Sequence, residues 1–175
     1  MRIAVFLGSS LGPAEHRAAT TGLGRALAEH GHGIVYGGAH VGLMGLLADA
    51  VLGAGGEVVG VLPRNLVERE VGHTGLTRLE LVGTMHERKA RMADLADAFV
   101  ALPGGTGTLD ELIEIMTWAQ LGLHAKPVVL YDVDGFWAPF LALLDHMVLS
   151  GYAPPSARTR LRVVTTADQL LDALA

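Results

Sequence analysis

The chain has no cysteine among its 175 residues, which removes disulfides, thiolate metal sites and cysteine nucleophiles together. Only two lysines occur, Lys89 and Lys126, so chemistry that needs a lysine aldimine has two places to sit. Lys126 precedes Pro127 at a strand entrance and is expected to be solvated, while Lys89 is crowded by Arg88 and Arg91. Pyridoxal-phosphate chemistry is therefore a poor fit. Aromatic residues make up 5% of the chain, so the core must be aliphatic. Cations are outnumbered, and the formal charge of −5 supplies no basic excess to neutralise a nucleic-acid backbone or an anionic membrane. A small phosphorylated ligand needs one or two local cations and stays open. Long apolar runs are also missing. The stretch 41–62 is broken by Asp49, Glu57 and several glycines and reads as a helix and a strand, with no membrane span. The apolar run 3–7 stops at Gly8-Ser9-Ser10, too soon for a signal-peptide core, and a cytoplasmic location is expected.

What is present centres on Pro103-Gly104-Gly105-Thr106-Gly107-Thr108-Leu109-Asp110-Glu111. The apolar run 98–102 before it reads as a buried strand, and the amphipathic run 112–123 after it as a helix. The glycines allow a tight turn and close approach of a ligand to the main chain. Thr106 or Thr108 is expected to cap the following helix, whose first free N–H groups form an anion site suited to phosphate. Asp110 and Glu111 have two readings: acids placed to favour a helix N-terminus, or functional carboxylates. The loop is not a P-loop, because no Lys-Ser/Thr pair closes it. Nor is it the dinucleotide fingerprint, since Asp110 stands where the third glycine belongs. A phosphate loop that carries its own acid suits chemistry beside a phosphate, on the sugar or the base.

The rest of the chain alternates strand and helix. Strands are predicted at 3–7, 34–36, 57–62, 76–82, 98–102, 127–131 and 161–164. Helices are predicted at 13–30, 43–52, 84–95 with Thr84 as cap, 112–123, 135–149 and 167–174. The irregular stretch 64–75 reads as a surface loop or as an active-site flap. Such alternation with short connections predicts a single α/β domain over residues 1–175, a three-layer, doubly wound Rossmann-like fold with a mostly parallel sheet. Right-handed crossovers then bring the turns at Gly8, Gly37-Gly38 and Gly104-Gly105 to one rim, where open parallel sheets bind ligands. Ser9 and Ser10 read either as caps or as ligand contacts. The eight histidines form no His-x-x-x-His pair and no cluster with acids, so no metal site is expected. No Gly-x-Ser-x-Gly elbow is present.

Met85-His86-Glu87-Arg88-Lys89 followed by the Pro103–Glu111 loop closely resembles the paired signature of the LOG (Lonely Guy) family. These are cytokinin riboside 5′-monophosphate phosphoribohydrolases, long labelled lysine decarboxylases. The likeness extends to Gly8-Ser9-Ser10, Gly37-Gly38, Gly42-Leu43-Met44-Gly45 and Thr117-Trp118-Ala119-Gln120-Leu121-Gly122.

The resemblance implies hydrolysis of the N-glycosidic bond of a nucleoside 5′-monophosphate, a cytokinin nucleotide or AMP, to free base and ribose 5-phosphate. It implies no metal and no organic cofactor, and a homodimer with the site beside its interface. Arg88 and Glu111 become the catalytic pair. Gly8, Ser9, Gly38, Met44, Glu70, Lys89, Gly104, Gly105, Thr106, Gly107, Thr108 and Thr117 become the substrate-binding set, with Glu70 aligned only through the 64–75 stretch. Physically, Glu111 can stabilise a cationic sugar or orient water, and like charge keeps it from the phosphate. Arg88 can stabilise the leaving base or fix the sugar-phosphate. A non-catalytic carrier of nucleotides or phosphorylated cofactors, as in the related molybdenum-cofactor carriers, is the alternative and would need no such pair.

Overall fold

A computed structural model describes residues 1–67 and 72–174. In chain order the elements are β1 (Arg2–Phe6), α1 (Ala14–Glu29), β2 (Gly33–Tyr36), α2 (Gly42–Gly53), β3 (Val58–Pro63), a 3-10 turn (Arg64–Leu66) and β4 (Arg78–Val82). They continue with α3 (Met85–Leu95), β5 (Ala98–Ala101), α4 (Thr106–Gln120), β6 (Val128–Tyr131), α5 (Ala138–Leu149), α6 (Ser156–Thr159), β7 (Leu161–Val164) and α7 (Ala167–Leu174). The strands form one sheet in the order β4-β3-β2-β1-β5-β6-β7, and every ladder is parallel.

The inner strands are short and mostly apolar because the sheet is covered there on both faces, while the edge strands β4 and β7 carry exposed residues. Alternation along β1 sends Ile3 and Val5, followed by Leu7, to one face and Ala4 and Phe6 to the other. On the first face they meet Leu23 and Leu27 of α1, Leu47 and Val51 of α2, and Leu170 and Leu174 of α7. On the second they meet Met92 of α3, Leu112 and Ile115 of α4, and Leu144 of α5. The result is the three-layer arrangement expected from the alternation of elements. Among the described residues no helix is long and apolar enough to cross a membrane.

The chain runs outward from β1 to β4 on one side, then returns to place β5 against β1 and runs outward again. The strand order therefore reverses between β1 and β5, and the crevice beyond their carboxyl ends is the ligand position of such sheets. The pairing Phe6↔Ala101 brings the residues that follow, Leu7-Gly8 and Leu102-Pro103, off the sheet side by side.

Two helices begin elsewhere than the sequence predicts. α4 starts at Thr106, ahead of the amphipathic run, because Gly105 takes the cap position in extended conformation. α5 starts at Ala138, later than expected. Asp134 and Gly135 adopt positive φ, and Asp132 Oδ1 accepts the Trp137 N–H at 3.0 Å, so residues 132–137 form a turn. α6 spans four residues, too few to leave a periodic signal.

Leu112 is fully buried beneath the sheet-facing side of α4. Leu112→Ala is expected to lower stability by about 2–5 kcal/mol, read as a lower urea midpoint at unchanged m-value.

Candidate active site

The loops leaving β1 and β5 are fastened to each other before either helix begins. Leu102 N–H donates to Phe6 O at 2.9 Å, Gly8 N–H to Pro103 O at 3.2 Å, and Leu43 N–H, at the start of α2, to Gly8 O at 3.1 Å. Gly104 lies where the loops press together. A Cβ there would collide with the Thr108 hydroxyl and stand 2.9 Å from Gly8 N. Close approach, not unusual φ, is what demands glycine at 104.

Leu109 N–H donates to Gly105 O at 3.1 Å, and the main-chain N–H groups before it have no intrahelical acceptor. They are free to meet a ligand at the rim, the position at which the sequence reading expects an anion. The expected cap by Thr106 or Thr108 is not made: no side chain caps α4, Thr106 is its first helical residue, and Thr108 turns inward and is buried. Asp110 and Glu111 are the fifth and sixth residues of α4. They lie past the first turn, where the macrodipole has decayed, so the dipole reading of these acids is corrected.

The buried face of α4 is Thr108, Glu111, Leu112, Ile115 and Ala119, a stripe that starts polar and becomes apolar. Side chains on a helix lean toward its N-terminus, which carries the Glu111 carboxylate back toward the rim. α3 repeats the pattern, with Arg88 heading a buried stripe completed by Met92 and Ala93. Its start is fixed by the expected cap. Thr84 Oγ1 accepts the Glu87 N–H at 3.1 Å, and Glu87 Oε2 accepts the Gly83 N–H at 2.7 Å, close to a capping box.

The two polar heads meet. Arg88 Nη2 lies 3.7 Å from Glu111 Oε1, near enough to attract and too far for a hydrogen bond. Both residues are at least nine-tenths buried. Arg88 Nη1 points at Met85 Sδ, 3.7 Å away, and Arg88 Nε is buried with no acceptor among the described residues. These groups border a cavity of about 220 Å³ lined by Gly37 and residues 105–108, with Ser9, Met44, Met85, Asp110, Val5 and Leu7 completing it. The turn behind Gly37 is braced by the buried Tyr36 hydroxyl, which donates to Ala39 O at 3.0 Å. Burial, and secondarily the Asp49 charge, raises the Tyr36 pKa and keeps it a neutral donor.

Of the residues named from sequence, Ser9, Met44, Arg88, Gly105, Thr106, Gly107, Thr108 and Glu111 line this one cavity. Gly8 and Gly104 line a neighbouring cavity that shares Ser9 and Gly105 and is bounded by His16 and Phe136. Gly38 is one residue outside the wall, at φ +81°, and its carbonyl accepts the His73 N–H at 3.0 Å. Thr117 lies in a separate apolar groove with Met116, Leu144 and Met147, its hydroxyl donating to Ile113 O at 2.8 Å. Six residues beyond Glu111, it is turned by about 240° and displaced by about 9 Å along the axis. Glu70 falls outside the described residues.

Lys89 does not itself line the cavity. Its ammonium is 3.0 Å from Asp110 Oδ2 and 3.1 Å from Glu114 Oε2, tying α3 to α4. Burial opposes its charge, but the two carboxylates outweigh burial and raise its pKa above the ordinary lysine value. Lys126, expected to be solvated, is half-buried and donates to Ala93 O at 2.8 Å. Sequence reasoning missed Gly37, Asp110 and Met85 as lining residues. Met85 was findable, since it stands three positions before Arg88 and shares its helix face.

The chain is similar to known proteins over most of its length. Residues 44–174 match the family described as possible lysine decarboxylase. The chain is 48% identical over 171 residues to the cytokinin riboside 5′-monophosphate phosphoribohydrolase LOG of Oryza sativa subsp. japonica, covering 97% of this chain and 71% of that protein. It is 46% identical over 163 residues to the cytokinin riboside 5′-monophosphate phosphoribohydrolase of Rhodococcoides fascians, covering 92% and 82%. Among solved structures, the molybdenum cofactor binding protein of Rippkaea orientalis aligns with a TM-score of 0.73 over 98% of this chain and 93% of that one, at 20% identity. That likeness is one of fold.

Lys89→Met would leave Asp110 and the mostly buried Glu114 facing each other without their shared cation. A loss of about 1–3 kcal/mol is expected, measured by denaturant unfolding, with Lys89→Arg retaining most of the stability.

Proposed function

The chain belongs to the LOG family of cytokinin riboside 5′-monophosphate phosphoribohydrolases, matched at family level under the description possible lysine decarboxylase, and from that membership we propose that it hydrolyses the N-glycosidic bond of a nucleoside 5′-monophosphate. The products are the free base, a cytokinin or adenine, and ribose 5-phosphate. The observation that carries the reading is the Arg88–Glu111 pair, buried and 3.7 Å apart, beside a helix N-terminus built to hold phosphate.

With the phosphate on the N–H groups of 106–108, the Glu111 carboxylate faces the ribose, because it would repel the phosphate. Cleavage builds positive charge on the anomeric carbon and sends the electron pair of the breaking C–N bond to the base. Glu111 offsets that positive charge and accepts a proton from the water that attacks the same carbon. The departing base takes up a proton, from Glu111 or from solvent, so that free base and ribose 5-phosphate leave and the carboxylate is restored. A guanidinium offers fixed N–H donors and is no proton shuttle, so Arg88 acts as an electrostatic clamp on the leaving base or the sugar-phosphate. Its open Nε donor is available to that ligand. Ser9 and Met44 line the same cavity and complete its contacts with the nucleotide. Lys89 contributes from behind, through Asp110.

The family-level description would need a lysine free to form an aldimine. Both lysines of this chain are engaged, Lys89 with two carboxylates and Lys126 with a main-chain carbonyl, which supports the hydrolase over the decarboxylase. A carrier would use the anion site without needing two buried opposite charges at its mouth, and Arg88 with Glu111 supports the enzyme over that reading too.

The protein is further proposed to act as a homodimer. Met92, Leu112 and Ile115 of α3 and α4 are core, but Leu109 and Ile113, one turn apart on α4, remain exposed. They continue into Leu121 and Leu123 at its end, an apolar surface of the kind that marks an interface. Ile113→Lys is expected to shift the protein to monomer in sedimentation equilibrium.

Metal-free protein incubated with AMP or isopentenyladenosine 5′-monophosphate is expected to release free base, detected by chromatography. Arg88→Ala and Glu111→Ala should each lower that rate by about 10²-fold or more while leaving thermal unfolding intact. Nucleotide bound without base release by the wild-type protein would move the assignment to a carrier.

A further inference from the structure

We propose that Gly37 is a positioning residue for the Arg88 guanidinium: its missing side chain is the slot in which the guanidinium lies. The inference rests on the reading of Arg88 given above, and it assigns a role to a residue outside the signature motifs of α3 and the β5–α4 loop. Gly37 is the first residue after β2, and its φ is not in the left-handed region, unlike that of Gly38. The backbone at 37 therefore suits any residue. Space is what excludes one. A Cβ on Gly37 would overlap Arg88 Nη2, and it would stand 2.9 Å from Arg88 Cζ and 2.6 Å from Met44 Cε, where nonbonded carbon contacts need about 3.5 Å or more.

The nature of the three nearest atoms decides the outcome. All are ends of flexible side chains, so the main chain can stay in place while Arg88 and Met44 retreat. Gly45, on the neighbouring turn, is the opposite case, for its Cβ would run into the main-chain carbonyl of His40. Glycine at 45 serves the fold, and glycine at 37 serves the guanidinium.

The slot has three walls. Gly37 closes one side, Met85 Sδ stands 3.7 Å from Nη1, and Glu111 Oε1 stands 3.7 Å from Nη2. A long side chain with a planar head has many rotamers, and these walls select one. Pushing the head away from Gly37 moves it against Glu111 or out toward the rim. A displacement of about 1 Å in a positioned group is worth about 10²-fold in rate.

The test is Gly37→Ala, followed by base release from the nucleotide, thermal unfolding, and the Nε–Hε NMR resonance of Arg88, assigned by its absence in Arg88→Lys. Expected are a fall in kcat of about 10²-fold, an unfolding midpoint within a degree or so of wild type, and a displaced Arg88 resonance. Gly37→Ala is also expected to add less than about threefold in the Arg88→Lys background, where no Nη2 remains to collide with the methyl. Should the methyl lower stability, the loss must be smaller in the Arg88→Lys background, where the contact with Met44 Cε alone remains. Turnover within threefold of wild type with an unmoved Arg88 resonance overturns the proposal. So does a stability loss that Arg88→Lys fails to reduce. If the wild-type protein releases no base at all, the hydrolase reading falls, and the Arg88 resonance still decides whether Gly37 seats the guanidinium.

Discussion

The parallel pairing of β1 with β5 is the constraint on which the rest depends. It is the place where strand order reverses, and its register releases Gly8 and Pro103 from the sheet at the same level, where they are hydrogen-bonded. α4 starts from this junction, and α2 is tied to it through Leu43 N–H. α3 packs beside them on the face where Met92 and Leu112 share a core. The position of every charged group in the cavity is inherited first from buried inner strands, and hydrogen bonds between the loops and the Lys89 bridge then fix it locally.

That inheritance permits a buried ion pair more widely spaced than two more exposed ones. Arg91 meets Glu80 at 2.6 and 3.2 Å through two nitrogens, and the hydrogen bond from Arg91 holds the Glu80 carboxyl below its usual range despite partial burial. Arg2 grips Glu57 through both carboxylate oxygens at 3.0 Å. Arg88 and Glu111 are more buried than either pair and yet stand 3.7 Å apart. The wider spacing leaves both groups beside the cavity that they border.

α3 and α4 each carry a buried stripe that changes from polar at the rim to apolar beside the sheet. One helix face thus supplies both the core and the chemistry. Neighbouring positions on the same helices do other work: Lys89 joins Asp110 and Glu114 behind the cavity, while Leu109 and Ile113 face outward. Adjacent residues on a helix point about 100° apart, so a motif contiguous in sequence is divided among core, cavity and surface.

The linear chain by itself determined the order of elements and the three glycine turns on one rim, and it was the family resemblance of its motifs that singled out Arg88 and Glu111. Local signals suffice for the elements and turns: apolar period, glycine spacing, a Thr84 cap and short connections. Tertiary structure alone decided which glycine serves the site and which the turn, so that Gly37 lines the cavity and Gly38 does not. It also turned Lys89 toward two carboxylates, carried Thr117 into another groove, and moved the start of α4 ahead of its amphipathic run. These outcomes depend on helix phase and on atoms from distant loops pressing into one volume. Neither quantity is written in the spacing of residues along the chain.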